Sequence, residues 1–278
     1  MRYRFLRFPG GKPKAVTLSY DDGCPADARF SDTVTPYGLK CTFNVTMRSK
    51  LSFAEMRTLF LERGHEIAVH GAQHRAPGVQ SPIGGISDVL ECRMRLEKEF
   101  GMIIRGMAYP DSGIRRFQNG ASYQNIKHYL TDLDIAYART LGGDNDSFML
   151  PTDWHAWMPT AHHDNPGIMT YIDRFLETDV NERYVAARYP RLFYIWGHSY
   201  EFDRNDNWGH LVNICERLSG REEIWYATNM EIYDYVTAYH SLVFSADEHM
   251  VYNPTRLKVW FNIDGRDYAV CGGETLYI

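Results

Sequence analysis

The chain has 278 residues, 44% of them hydrophobic and 23% charged, with a net charge of -5. That length and balance fit one large domain, or a domain with a small appendage, with a substantial core, and they exclude long disorder. The acidic balance and the lack of any Lys/Arg block argue against nucleic acid as a partner. Five scattered cysteines without a CxxC pair argue against a disulfide framework or a thiolate zinc site, and read as reduced thiols.

The N-terminal stretch MRYRFLRFPGGKP is basic and has no apolar core before Pro9. The expectation is therefore no signal peptide, no membrane partner and a cytoplasmic location by default. In chain order, the run AVTLSY at 15–20 predicts a strand that ends in Asp21-Asp22-Gly23, a triplet that alone is ordinary turn chemistry. CTFNVT at 41–46 predicts a second strand. Residues 52–63 open with Ser52 and carry Glu55 three places on, a capping box ahead of a helix. The strand EIAV, 66–69, leads into His70 and His74. A helix is predicted over 87–100, opened by Ser87, with Leu90, Met94 and Leu96 on its apolar stripe and a stop at Gly101.

GMAY at 106–109 predicts a strand running into Pro110, and IAYA at 135–138 predicts another. LFYIW at 192–196 ends at Gly197 and His198, and EIWY at 223–226 gives a seventh strand. Helices fit 122–130, 168–178, 208–218 and 228–240. This alternation predicts an α/β chain with a parallel sheet, and about seven strands suit a (β/α) barrel better than a small open sheet, with a doubly wound sheet as the alternative. From 241 the helical period is lost, and an Asn-Pro turn and an Asp264-Gly265 hairpin signal appear. The expected organisation is a main domain over 1–240 and a small C-terminal antiparallel β appendage over 241–278, packed on it as a cover rather than acting as an independent sugar-binding unit.

In a parallel sheet the loops after the strands converge on one surface. Two imidazoles with three residues between them, His70 and His74, can meet at a metal, and neutral imidazole suits zinc and similar ions. Eleven histidines make chance pairs expected, so the weight comes from a carboxylate after another strand. Two His and one Asp leave positions open for water and substrate, as a catalytic metal requires. GMAYPDSG exposes backbone N–H groups beyond Pro110, and His198 offers an acid.

SYDDG, HGAQH, AYPDSG and WGHS, in that order, resemble the successive motifs of the polysaccharide deacetylase family, the NodB-homology carbohydrate esterases of the family-4 type, over roughly residues 10–240. The resemblance implies a distorted (β/α) barrel and a divalent metal, usually zinc, with cobalt, nickel or manganese as alternatives. It implies Asp22, His70 and His74 as metal ligands, Asp21 as general base, the Asp111 backbone N–H as oxyanion donor and His198 as general acid. Two adjacent carboxylates ionise together only at a cost unless a cation takes one, which agrees with that division. The implied reaction is hydrolytic removal of an acetyl group, most often N-acetyl, from an acetylated saccharide.

Three features depart from the family pattern. Ala108 stands where the family places an arginine that steadies the catalytic aspartate, with Arg105, Arg115 and Arg116 as candidate substitutes. The tyrosine after the motif proline is Asp111, and the usual Asp-Trp motif is matched loosely by PTDWHAWMPTAHH, 151–163. Trp154, His155, Trp157, His162 and His163 in that segment are expected to form a loop over the barrel mouth, with Tyr109, Tyr200 and Glu201 as further substrate contacts. The alternatives are a carbohydrate-binding protein of the same fold with little or no hydrolysis, or an amidase acting on a non-sugar C–N bond.

Overall fold

The structure is a computed structural model and describes residues 2–142, 145–180 and 185–278. In chain order its elements are β1 (Arg4–Arg7), β2 (Lys14–Asp22), α1 (Ala26–Val34), β3 (Cys41–Val45), α2 (Phe53–Leu59), β4 (Glu66–Val69), α3 (Pro82–Phe100), β5 (Gly106–Ala108), α4 (Tyr123–Asp132), β6 (Tyr137–Arg139) and β7 (Ala161–His162). There follow α5 (Ile168–Glu177), β8 (Arg191–Gly197), α6 (Tyr200–Arg204), α7 (Trp208–Leu218), β9 (Ile224–Tyr226), α8 (Asn229–His240), β10 (Val243–Phe244), β11 (Met250–Tyr252), β12 (Val259–Ile263), β13 (Arg266–Val270) and β14 (Thr275–Tyr277).

β2 is buried along nearly its whole length, as a strand covered on both faces must be. It is the centre of a parallel sheet ordered β6-β5-β4-β3-β2-β8-β7, with β9 paired to its first three residues and β3 to its last five. The sheet curls, with helices around it, into a distorted (β/α) barrel. Alternation along β2 sends Val16, Leu18 and Tyr20 into one core with Phe30, Phe43 and Phe193. Thr17, Ser19 and Asp21 face the other way, toward a second cluster where Tyr137, Trp157 and Tyr194 pack under α8. Register puts Tyr20 level with Gly197 and Asp22 level with Val45, and His70 N donates to Val45 O at 3.0 Å. The loaded strand ends therefore lie side by side.

The seven predicted strands and six predicted helices all form, β4 and α7 with the expected ends and the others with shifted ends. The Ser52/Glu55 capping box is present as expected. The helix expected from Ser87 starts earlier, at Pro82, capped by Ser81. Its buried face is Val89, Cys92, Leu96 and Phe100, so of the expected stripe only Leu96 is buried, while Leu90 and Met94 are exposed. Four short elements had no predicted counterpart: β1, α1, β7 and α6. The segment 241–278 forms antiparallel strands as expected, with Asp264 (φ 50°) and Gly265 (φ 93°) turning the β12–β13 hairpin. One of its sheets is completed by β1 in the order β1-β12-β13, and the other is ordered β10-β11-β14. The cysteines are all free thiols. Among the described residues no helix is long and apolar enough to cross a membrane.

Phe43, fully buried and stacked on Phe60 at 3.8 Å between ring centroids, carries the packing of β3 on α2. Phe43→Ala is expected to cost about 3–5 kcal/mol, read as a lower denaturant midpoint with the slope unchanged.

Candidate active site

Asp21 sits at the end of β2 with its side chain inside the barrel and no exposed surface. A carboxylate is tolerated there only if both oxygens are met. Asn44 Nδ2 donates to Oδ1 at 2.8 Å, and the guanidinium of Arg139, also fully buried, donates to Oδ2 through Nη2. Arg139 in turn lies over the Trp196 ring, 4.5 Å from its centroid. Burial pushes the Asp21 carboxyl up, but Arg139, then His70 and His198, outweigh it and hold the pKa below the ordinary value. Arg139 is thus the arginine that meets Asp21, where the resemblance placed one at position 108. Arg139 is the register partner of Ala108 on the neighbouring strand, so the guanidinium reaches Asp21 from one strand further along.

Asp22 turns away from its neighbour. Its φ of 81° is in the left-handed region that non-glycine residues avoid, and His74 shares that strain at φ 54°. The turn brings Asp22 Oδ1 to 3.2 Å from His74 Nε2 and 3.7 Å from His70 Nε2. His70, buried, has Nδ1 at 2.9 Å from the Ala108 carbonyl, which accepts its proton and leaves the Nε2 lone pair facing Asp22. Asp88 braces the loop between the histidines, with Gln73 N donating to its Oδ1 at 2.7 Å and Ala72 N to its main-chain carbonyl at 3.0 Å. Donor set, separations and fixed tautomer fit a divalent ion such as zinc, and the three residues form one of two compact groups of potential metal ligands among the described residues.

His198 begins the loop after β8, with Nε2 at 4.0 Å from Asp22 Oδ2. Its Nδ1 lies 3.4 Å from Glu201 Oε2, which also accepts the His198 backbone N–H at 3.2 Å. Burial works against a charged ring, yet Glu201, Asp21 and Asp22 outweigh it and raise the His198 pKa. The next residue, Ser199, donates from Oγ to Asp27 Oδ1 at 2.5 Å, and the Cys24 N–H donates to Asp27 Oδ2 at 2.9 Å. Asp27 thus ties the β8 loop to the β2 loop. Desolvation in this fully buried place pushes its carboxyl up to about 7.

Two surface cavities meet at His74, one of about 420 Å³ bounded by Asp22, Arg48 and Tyr200, the other of about 410 Å³ bounded by Arg75, Asp111 and Asn119. Together they run past Asp22 and His74. Asp111 is exposed at φ 51°, and its backbone N–H makes no hydrogen bond among the described residues. Tyr200 is 38% exposed and lines the same cavity as Asp22 and His74.

Five expected substrate contacts lie elsewhere. Tyr109 is fully buried, its hydroxyl donating to His155 O at 2.7 Å, and His155 Nε2 is bonded to Ile135 O at 2.7 Å, at the opposite end of β6 from Arg139. Trp157 is buried against Tyr137 and Tyr194, and Trp154 packs edge-on against it and against Tyr233 of α8. These aromatics pack the barrel interior rather than cover its mouth. His163 is also buried, between the rings of Tyr20 and Phe202. Nor do the candidate arginines reach Asp21: Arg105 pairs with Asp134 at 2.8 Å, and Arg115 and Arg116 sit in the loop after β5 away from that carboxylate. The residues missed were Arg139 and Glu201's role beneath His198. The available signal was an arginine ending a buried strand, hidden by placing that strand two residues early.

Replacing Arg139 leaves a buried carboxylate without its counter-charge. Arg139→Met is expected to destabilise the fold by about 3–5 kcal/mol, and Asp21→Asn in that background to recover part of the loss, measured by denaturant unfolding as a double-mutant cycle. Strictly additive losses would show that the two side chains are not coupled.

The family model described as polysaccharide deacetylase matches residues 9–127. No protein of curated function matches the sequence. Among solved structures, the Xyl-CE4 domain of a multidomain xylanase from the hindgut metagenome of Trinervitermes trinervoides is similar at 15% identity and a TM-score of 0.53, over 82% of this chain and 92% of that one. A Mycobacterium smegmatis protein described as a polysaccharide deacetylase is similar at 15% identity and a TM-score of 0.54, over 86% and 96%. A peptidoglycan deacetylase from Bacillus subtilis is similar at 12% and 0.50, over 84% and 95%. At these identities the likeness is one of fold. The chain thus matches the polysaccharide deacetylase family model over residues 9–127 and shares the fold of these structures.

Proposed function

We propose that the chain is a metal-dependent deacetylase that removes acetyl groups, chiefly N-acetyl, from an acetylated saccharide. The observation that carries this reading is the convergence of Asp22, His70 and His74 beside a buried Asp21 that Arg139 keeps charged, with His198 beyond Asp22. Asp22, His70 and His74 would hold the ion, zinc by its donor set, which when bound supplies Lewis-acid polarisation of the acetyl carbonyl and acidifies a water.

The chain's own groups do the rest. Asp21, charged and held from two sides, accepts the proton of the attacking water as general base. The Asp111 N–H donates to the oxygen on which charge develops as the carbonyl carbon becomes tetrahedral. His198, oriented by Glu201, gives its proton to the departing nitrogen, the C–N bond breaks, and acetate and a free amine leave. The cleft running past His74 on both sides suits an extended saccharide, with the exposed Tyr200 ring as a stacking surface. Arg139, reaching Asp21 from β6 in place of an arginine at Ala108, favours hydrolysis over the sugar-binding alternative.

Acetate release from a panel of N-acetylated oligosaccharides is the direct test, and no release from the zinc-loaded chain across the panel would overturn the reading. Asp21→Asn is expected to lower turnover by about 10²–10⁴-fold with bound zinc retained, whereas loss of zinc in that variant would exchange the roles of the two aspartates. A chelator should abolish release and added zinc restore it. Glu201→Gln, which removes the charge beneath His198, should lower kcat while leaving KM nearly unchanged.

A further inference from the structure

The second group of potential ligands is His162, His163, Asp164 and Glu201, with one donor atom of each within 4.8 Å of all the others. We propose that this is a second cation site, for zinc by its donor set, and that it is structural. The first three residues come from the end of β7 and the loop beyond it, and the fourth from α6. Glu201 Oε2 lies 3.0 Å from His162 Nε2 and 3.6 Å from His163 Nε2, and His163 Nε2 lies 3.5 Å from Asp164 Oδ1. Metal bonds of about 2.0–2.1 Å in a tetrahedron put neighbouring ligand atoms about 3.3 Å apart. The cluster is therefore as tight as the Asp22 group, where the separations are 3.2 and 3.7 Å.

His163 points to a ligand independently of that spacing. It is fully buried, and neither ring nitrogen has a hydrogen-bond partner. A core histidine left so is a costly choice where a phenylalanine would fill the same space. The ring is locked by stacking on Phe202 at 4.2 Å and Tyr20 at 5.6 Å, and a Cβ at Gly197 would collide with its Nδ1. Its Nε2 is thereby aimed at the two carboxylates. Asp164 is braced from behind, its Oδ2 accepting from Asn205 Nδ2 at 2.9 Å while Oδ1 faces the cluster.

Without an ion, protons hold this corner. The Asp164 N–H donates to His162 Nδ1 at 3.1 Å, so the neutral ring carries its proton on Nε2 and donates it to Glu201. Ion binding moves that proton to Nδ1 and gives up two hydrogen bonds, Asp164 N–H to Nδ1 and Nε2–H to Glu201, in exchange for metal bonds to His162 and Glu201, with no net proton released from His162. Four protein ligands close the coordination sphere, which is the mark of a structural rather than a catalytic zinc. Such an ion would pin α6 to β7 and fix the carboxylate on which His198 rests.

The test counts metal in the full chain, stripped and then reloaded with excess zinc, by mass spectrometry after unbound ion is removed. Two zinc per chain are expected, with one in His74→Ala, one in Asp164→Asn and none in the double variant. Because Asp164 is partly exposed, its variant should keep the wild-type circular dichroism, and His163→Gln provides a second reading of the same site. Cobalt in place of zinc should give the intense visible bands of a four-coordinate site, lost in Asp164→Asn and kept in His74→Ala. A single zinc in the wild type that survives Asp164→Asn and is lost in His74→Ala, or two zinc retained in both Asp164→Asn and His163→Gln, would overturn the proposal. The count does not depend on acetate release, so this inference and the deacetylase reading can fail separately.

Discussion

A charge that must stay inside the protein governs this structure. Asp21 and Arg139 are both removed from water, and neither could be left there alone. The pair persists because Asn44 meets the second oxygen and Trp196 lies under the guanidinium. Those four side chains come from β2, β6, β3 and β8. Aligning them requires the parallel register of the sheet and a curl that brings the end strand β6 within reach of the central strand. The ion pair and the curl of the sheet are two statements of one geometric condition.

The second condition is that two adjacent carboxylates must diverge. An extended backbone already sends neighbouring side chains to opposite faces, and the left-handed turn at Asp22 completes the separation. Such backbone strain lasts only where surrounding contacts overdetermine it. Here Ser49 Oγ donates to the carbonyl of Gly23, Lys50 N donates to the same carbonyl at 3.3 Å, and Asp27 holds the Cys24 N–H. The loop that carries the strain is tied from both sides.

Much of this was legible in the sequence because strand-end motifs are local. SYDDG and HGAQH announce their chemistry within a few residues, and seven strand candidates were enough for the barrel. Arg139 was not legible, because its partner is 118 residues away and the link runs through the pairing of β5 with β6 rather than through spacing along the chain. The segment 151–163 misled for a related reason. Tryptophan and histidine beside polar residues look like a binding loop, but here Trp154 and Trp157 are core aromatics, and His155 is spent on a backbone carbonyl. β7 and β1 are too short for periodicity to reveal, and only their sheet partners make them strands.

The pairing of β1 with β12 has a consequence for the order of assembly. Phe5 is registered with Asn262, and Leu6 with Phe261. Contacts so distant in sequence close late, since the loop entropy of the intervening chain must be met first. During synthesis residues 260–263 must leave the ribosome before residues 4–7 find the strand that covers them. Until then that segment is an unpaired edge, and completion of the N-terminal strand becomes a report that the C-terminal sheet has formed.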